Sequence, residues 1–310
     1  MDSIFATLRY LRLKILISLI RLLVRLFAPR IRTNPDAVLH IPSRDAGRPI
    51  TVHVYNPPDN HDQTPSSNPT PKPVLLNFYG SAFTLLFFGA DEGYCRGIAR
   101  RTGYVVLDVE YRLAPEAPFP GPNEDVEDTV RYVLARPEKY DRKRLSASGF
   151  SSGGTLALVA PLLFPTGTFE KVIAFYPSAN LVADPADRKP PVEPPEGTPS
   201  GRGPAAWTRL FREAVFLNGT DPRDPRISPL FATESQLAAH YPENLLVITG
   251  EYDSSALDAE KFGRNVEAAG KRGVVVRRMG DCIHGFDKKE EYKDAKEESY
   301  ALVVDMLLNK

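Results

Sequence analysis

Short apolar segments rich in β-branched residues alternate with longer amphipathic segments from residue 74 onward. The first kind predicts strands and the second predicts helices. The predicted strands are Thr51–Tyr55, Val74–Phe78, Tyr104–Val109, Arg144–Gly149, Val172–Phe175, Leu245–Thr249 and Val274–Arg277. The predicted helices are Asp91–Arg101, Asn123–Ala135, Ser152–Phe164, Ala205–Phe216, Ser255–Ala269 and Glu290–Leu308. This order favours an α/β fold with a mostly parallel sheet covered on both faces, whose reactive groups lie at the carboxyl ends of the strands.

The composition narrows the class of protein. A chain of 310 residues, 42% hydrophobic and 25% charged, has the profile of a globular protein of one or two domains. Its 39 basic and 39 acidic residues cancel, so the charge gives no argument for a nucleic-acid partner. Cys95 and Cys282 do not make a disulfide framework and suit a reducing compartment, which favours a cytoplasmic location. The proline-rich segments 57–73 and 184–204 indicate surface loops.

The motif Gly149-Phe150-Ser151-Ser152-Gly153 follows a predicted strand and precedes a predicted helix. In that context G-x-S-x-G is typical of a nucleophile elbow, a sharp turn that needs small residues on both sides of the serine. The turn presents the hydroxyl at a helix N-terminus, where the dipole favours developing negative charge. We therefore predict that Ser151 is a nucleophile, against the simpler interpretation of a glycine-rich turn.

A serine nucleophile needs an adjacent base, and the chain has five histidines. His284 lies in the loop between the last predicted strand and the last predicted helix, which is a position suited to a base. The acid should come from the loop after the preceding strand, where Asp253 is the preferred candidate and Glu251 the nearest rival. The chain order Ser151, Asp253, His284 matches the order of nucleophile, acid and base in this architecture.

Acyl transfer also requires N–H donors aimed at the developing oxyanion. One donor in this architecture belongs to the residue after the nucleophile, here Ser152, and the other comes from the loop that follows Val74–Phe78. In that loop the backbone groups of Ser81 and Ala82 are the candidate donors. The residues predicted to line the substrate pocket are Tyr79, Gly80, Phe83 and Phe150.

The segment 3–28 is very apolar, yet five basic residues interrupt it. Its uncharged stretches are too short for a membrane-spanning helix or the core of a signal peptide. Helical spacing gathers one polar stripe beside a wide apolar face, and the stripe comprises Ser3, Thr7, Tyr10, Lys14, Ser18, Arg21 and Arg25. The preferred interpretation is a helix that packs on the body of the protein and covers its cleft. A peripheral contact with a membrane surface is the alternative, and the two are compatible.

Further motifs follow in a characteristic order, namely Tyr111-Arg112-Leu113-Ala114-Pro115-Glu116 with Phe119-Pro120, Asp224-Pro225 with Ser228-Pro229, and His284-Gly285-Phe286. With the elbow and Asp253, they make the chain resemble the hormone-sensitive-lipase-like esterases, especially fungal members, from about residue 74 to 309. The resemblance implies an α/β-hydrolase fold with a catalytic domain over residues 46–310. It also implies a helical cap formed by residues 1–45 and an insert at about 180–222.

The resemblance implies a serine esterase that cleaves carboxylic esters of small or medium acyl groups through an acyl-enzyme, with no metal or cofactor. Two alternatives stay open: a fungal natural-product enzyme that performs acyl transfer, elimination or cyclisation, and a non-catalytic small-molecule receptor, against which His284 argues. The sequence leaves the natural ester and the oligomeric state open.

One departure from the family pattern lies in the oxyanion loop. The family has His and Gly where this chain has Tyr79 and Ala82. An alanine at that place costs about 1–2 kcal/mol if its backbone is left-handed. Its methyl group also narrows the space beside the scissile carbonyl, so slow turnover of bulky acyl groups is predicted.

Overall fold

The computed structural model describes residues 2–58, 70–199 and 201–310. Within these residues eight strands form one sheet in the order β1-β2-β4-β3-β5-β6-β7-β8. The strands are β1 (Ala37–Pro42), β2 (Pro49–Tyr55), β3 (Lys72–Phe78), β4 (Val105–Val109), β5 (Tyr140–Phe150), β6 (Lys171–Phe175), β7 (Asn244–Gly250) and β8 (Gly273–Met279). Only β1 and β2 pair antiparallel with their neighbours, and the strands from β4 to β8 in the sheet order are parallel. The predicted mostly parallel sheet is confirmed.

Helices cover both faces of the sheet. The α-helices of the described residues are α1 (Asp2–Phe27), α2 (Glu92–Thr102), α3 (Gly121–Leu134), α4 (Ser152–Val159), α5 (Ala205–Val215), α6 (Glu234–His240), α7 (Ala256–Ala268) and α8 (Lys293–Leu308). Successive residues of β3 point to opposite faces, so Leu76 packs in the core under α3, α4 and α7, whereas Leu75 packs in the core under α2 and α8. The prediction that the sheet is covered on both faces is also confirmed.

Two elements were not predicted from the sequence. Strand β1 lies at the sheet edge, where most of its side chains are exposed, so it lacks the apolar run by which buried strands are recognised. Helix α6 has only seven residues, although Thr233 and Gln236 form a capping box at its start. Most of the proline-rich segment 57–73, including His61, lies outside the described residues.

The connection between β5 and α4 is a sharp turn at Ser151, whose φ of 52° and ψ of −116° are unusual for a residue with a side chain. A backbone in such a region costs of order 1–3 kcal/mol. Two glycines make the turn possible. A Cβ on Gly149 would overlap the carbonyl oxygen of Gly153, and a Cβ on Gly153 would overlap that of Phe78 at the end of β3. Helix α4 therefore approaches the ends of β3 and β5 at backbone distance.

Helix α1 lies on the body of the protein beside α5. Its inner face is formed by Leu13, Ile17 and Ile20, which are all buried. Arg21 also faces inward, where its guanidinium donates to the carbonyl oxygens of Thr84 (2.7 Å) and Ala114 (2.8 Å). The buried face therefore includes one residue of the predicted polar stripe. Arg21 can face inward because its guanidinium hydrogen-bonds carbonyl groups of the body. Among the described residues no helix is long and apolar enough to cross a membrane.

We expect Gly153→Ala to lower the melting temperature, because the added Cβ meets rigid backbone at the end of β3. Overpacking of this kind costs about 1–3 kcal/mol. Gly97→Ala in α2 is the matched control, since its Cβ would meet no atom within 4 Å and alanine is favoured over glycine in a helix interior. Thermal unfolding of both variants tests this. An unchanged melting temperature for Gly153→Ala would contradict the close approach of α4 to β3.

Candidate active site

Three side chains from separate loops meet at the carboxyl edge of the sheet. Ser151 follows β5, Asp253 follows β7 and His284 follows β8. The His284 Nε2 atom lies 2.9 Å from Ser151 Oγ, and its Nδ1 atom lies 2.7 Å from Asp253 Oδ2. Both distances are within hydrogen-bonding range. An arrangement of this kind lets an imidazole accept a hydroxyl proton while a carboxylate fixes the ring and stabilises its charged form.

Asp253 is fully buried, and its carboxylate accepts hydrogen bonds from the backbone N–H (2.9 Å) and the hydroxyl (2.8 Å) of Ser255. Burial alone raises its pKa, but His284, Arg202 and the Ser255 hydrogen bonds outweigh it, so the pKa lies well below the usual value. Asp253 is therefore ionised at neutral pH. The rival Glu251 instead accepts from the backbone N–H of Asp281 at 2.9 Å.

Arg202, which lies just before α5, contacts both of these groups. Its Nε donates to Asp253 Oδ1 at 3.2 Å, and its Nη2 lies 3.1 Å from His284 Nδ1. The chain can lie this close because a Cβ on Gly201, whose φ is 69°, would overlap the backbone of His284. Burial lowers the pKa of His284 and Arg202 lowers it further, whereas Asp253 opposes both. The net shift is downward, which favours the neutral imidazole that can accept a proton.

The loop after β3 is strained at two residues, since Ala82 and Phe83 have φ of 49° and 58°. The backbone N–H of Ser81 donates to Ser152 Oγ at 2.9 Å. The Ser81 N–H, a predicted oxyanion donor, is therefore hydrogen-bonded to a side chain, which the sequence did not indicate. The N–H of Ser152 heads α4, where helix geometry leaves it without an intrahelical acceptor. The N–H of Ala82 has no backbone acceptor in the described part of the chain.

A cleft of about 1100 Å³ lies over Ser151 and His284. Of the predicted pocket residues, Gly80, Phe83 and Phe150 line it. Tyr79 does not, because its side chain is buried behind the loop, where it stacks on Tyr111 with ring centroids 4.6 Å apart. Other walls come from residues 85–94, from residues 284–300 and from a group of apolar residues at α5 and at the end of α1, namely Val24, Ala28, Trp207, Phe211 and Val215.

The cleft also has a charged wall that the sequence did not reveal. Lys288 Nζ lies 2.7 Å from Asp91 Oδ1 and 2.7 Å from Asp287 Oδ2, so two buried carboxylates share one ammonium group. Tyr300 donates its hydroxyl to Asp287 at 3.0 Å. In the described part of the chain no cluster of His, Cys, Asp or Glu has the arrangement of a metal site.

A mostly parallel sheet with a serine at a strand–helix elbow, and with an acid and a histidine on later strand loops, defines the α/β-hydrolase class. A family model described as the alpha/beta hydrolase fold matches residues 75–288. The chain belongs to this family of α/β-hydrolases. The predicted resemblance to the hormone-sensitive-lipase-like esterases is thereby confirmed.

Individual relatives cover most of the chain. Esterase LipI of Mycobacterium tuberculosis is 26% identical over 83% of this chain and 78% of its own length. The ethyl acetate hydrolase of Pseudomonas putida is 26% identical over 88% of this chain and 83% of its own. Among solved structures, an esterase of Pyrobaculum calidifontis superposes with a TM-score of 0.69 and 26% identity, over 94% of this chain and 93% of its own. The likeness therefore extends beyond the segment matched by the family model.

We expect Arg202→Met to move the acid limb of the pH–rate profile to higher pH. Arg202 lowers the pKa of His284, so its removal raises that pKa, and a higher pH is then needed to obtain the neutral base. The rate with a short acetyl ester should be measured across the pH range. Arg209→Met, which removes an exposed partner of Asp184, is the control and should leave the profile unchanged. A profile of Arg202→Met that matches the wild type would contradict this coupling.

Proposed function

We propose that this carboxylic ester hydrolase cleaves esters of small or medium acyl groups by forming an acyl-enzyme on Ser151. The observation that carries the proposal is the chain of hydrogen bonds from Asp253 through His284 to Ser151 Oγ, with distances of 2.7 Å and 2.9 Å. The position of Ser151 at the head of α4 supports it further, because the helix dipole favours the negative charge that develops there.

In the proposed reaction Ser151 Oγ attacks the ester carbonyl carbon while His284 Nε2 takes the hydroxyl proton. The tetrahedral oxyanion accepts hydrogen bonds from the N–H groups of Ala82 and Ser152, and from Ser81 once its N–H leaves the Ser152 hydroxyl. His284 then gives its proton to the departing alkoxide, which leaves as an alcohol. In the second half, water attacks the acyl-enzyme and gives a proton to His284 Nε2. His284 then returns this proton to Ser151 Oγ as the carboxylic acid product leaves.

The proposed preference for small acyl groups rests on the loop after β3. Ala82 adopts the left-handed backbone that glycine tolerates best, at a cost of about 1–2 kcal/mol, and it lines the same cleft as Ser151. The name of the Pseudomonas relative, an ethyl acetate hydrolase, is in keeping with an acetyl substrate. The apolar side chains of Trp207, Phe211 and Val215 in the cleft support an apolar alcohol part.

We further propose that residues 1–45 and the insert at about 180–222 act as a cap on the catalytic domain of residues 46–310. Side chains from the end of α1 and from α5 line the same cleft, and the two helices touch each other. The free, buried thiols of Cys95 and Cys282 support a reducing compartment, and hence the cytoplasm.

We expect Ser151→Ala to reduce kcat on a short aryl ester by at least ~10⁴-fold while the melting temperature is retained. His284→Ala should be similarly damaging and Asp253→Asn milder. Glu251→Gln is the matched control and should remain close to the wild type, because Glu251 binds the Asp281 backbone instead of His284. Turnover by Ser151→Ala near the wild-type rate would overturn the proposal.

A fluorophosphonate probe separates the proposed function from its alternatives. An esterase should be labelled on Ser151 and should also turn over the aryl ester. Labelling of the wild type without ester turnover would favour a natural-product enzyme that transfers or eliminates an acyl group. The absence of both would favour a receptor.

We expect Ala82→Gly to raise the octanoyl-to-acetyl rate ratio by up to about tenfold, which corresponds to ~1.4 kcal/mol. The change removes a methyl group from a residue that lines the cleft, and it relieves the left-handed backbone at φ 49°. The test compares acetyl, butyryl and octanoyl esters of one alcohol. Ala135→Gly, at the end of α3 with an ordinary φ of −76°, is the control. An unchanged ratio for Ala82→Gly would contradict an acyl limit set by Ala82.

A further inference from the structure

Helix α1 buries one narrow face and leaves a broad apolar face in solvent. The residues of this outward face are between 45% and 68% exposed, and they are Ile4, Phe5, Leu8, Leu11, Ile15, Leu19, Leu22, Leu23 and Leu26. Scattered exposed apolar residues are normal on protein surfaces, but a contiguous patch marks an interaction site. Outside α1, the large exposed apolar residues of the described chain are single or adjacent in pairs, as at Val38 or Leu257.

Basic side chains border this outward face. The segment 3–33 contains no Asp or Glu, although the whole chain has a formal net charge of zero. Lys14 and Arg25 are exposed and lie eleven residues apart, which places them about three turns apart on one border of the face. On the other side of the face, Arg9 and Arg12 both pair with Glu213 in α5. The basic character continues beyond the helix, where Arg30 and Arg32 are exposed.

We propose that the outward face of α1 docks this protein on an anionic lipid surface. An apolar helix face flanked by cations is suited to the boundary between acyl chains and headgroups. Each exposed cation near such a surface is attracted by anionic lipid. A second copy of this chain is a poorer occupant, because pairing two copies of α1 would bring together two segments that carry only positive charge.

Docking through α1 bears on the source of the ester substrate, and this part of the inference rests on the proposed function. Val24 in the last turn of α1, and Ala28, Arg30 and Ile31 just after the helix, line the cleft over Ser151. A lipid surface in contact with α1 therefore lies beside the cleft. We infer that the enzyme takes apolar esters dissolved in the lipid phase, and that it cleaves them faster when they are presented in anionic vesicles.

Flotation of the full chain with phosphatidylcholine vesicles, with and without phosphatidylserine, tests the docking. We expect the wild type to float with the vesicles that contain phosphatidylserine. The fraction that floats should be at least about tenfold lower for the triple variant Leu8→Gln/Ile15→Gln/Leu22→Gln, because these changes interrupt the apolar face. Lys14→Gln/Arg25→Gln should weaken the preference for phosphatidylserine and reduce the sensitivity of binding to salt, because two of the exposed cations are removed.

The matched control is Val38→Gln/Leu257→Gln, which removes exposed apolar side chains away from α1 and should float like the wild type. A wild-type chain that fails to float, or a control that loses flotation as fully as the triple variant, would overturn docking through α1. So would a wild-type dimer that does not float and that the triple variant dissociates in sedimentation analysis, since the face would then join two copies.

Hydrolysis of a water-soluble acetyl ester without vesicles separates this inference from the proposed function. The triple variant and its control should match the wild type in that assay, because the outward face does not line the cleft. Flotation without any hydrolysis would remove the proposed function and leave the docking in place. Hydrolysis without flotation would overturn the docking and leave the proposed function in place.

Discussion

The contact between the backbone of α4 and the ends of β3 and β5 is the constraint on which the rest of the site depends. Gly149 and Gly153 allow it, because a side chain at either place would overlap a carbonyl oxygen. The contact forces Ser151 into a strained turn and aims its hydroxyl along the carboxyl edge. Since β3 and β5 are neighbours in the sheet, the same contact sets the loop of Ala82 beside Ser151.

Charged groups at this edge of the sheet interact with an arginine from the segment just before α5. Asp253 is ionised although it is fully buried, because His284, Arg202 and a hydrogen bond from Ser255 stabilise its negative charge. Arg202 is one of these groups, and it lies in the segment between β6 and β7, just before α5, and not in a strand. Burial and Arg202 together keep the pKa of His284 low. The basicity of the imidazole therefore depends on the position of the segment just before α5, which carries Arg202.

Helix α1 has two surfaces with different chemistry. Its inner face packs through Leu13 and Ile17, and Arg21 reaches carbonyl groups of the body through its long side chain. A basic residue of the predicted polar stripe can therefore face inward, because its guanidinium is satisfied there. The outward face keeps its apolar residues in solvent. Periodicity predicted the helix and its amphipathic character, but it did not predict which sector would be buried.

The order of strands and helices, the elbow and the three residues that meet at the carboxyl edge could all be found in the sequence. They depend on local periodicity, on glycine sterics and on positions at strand ends. Tertiary structure alone decided that Arg202 lies against His284, that Ser81 donates to Ser152, that Tyr79 lies behind its loop and that Lys288 bridges two carboxylates. Several of these contacts join segments far apart in the chain, and all of them depend on side-chain directions that packing fixes and that no local pattern encodes.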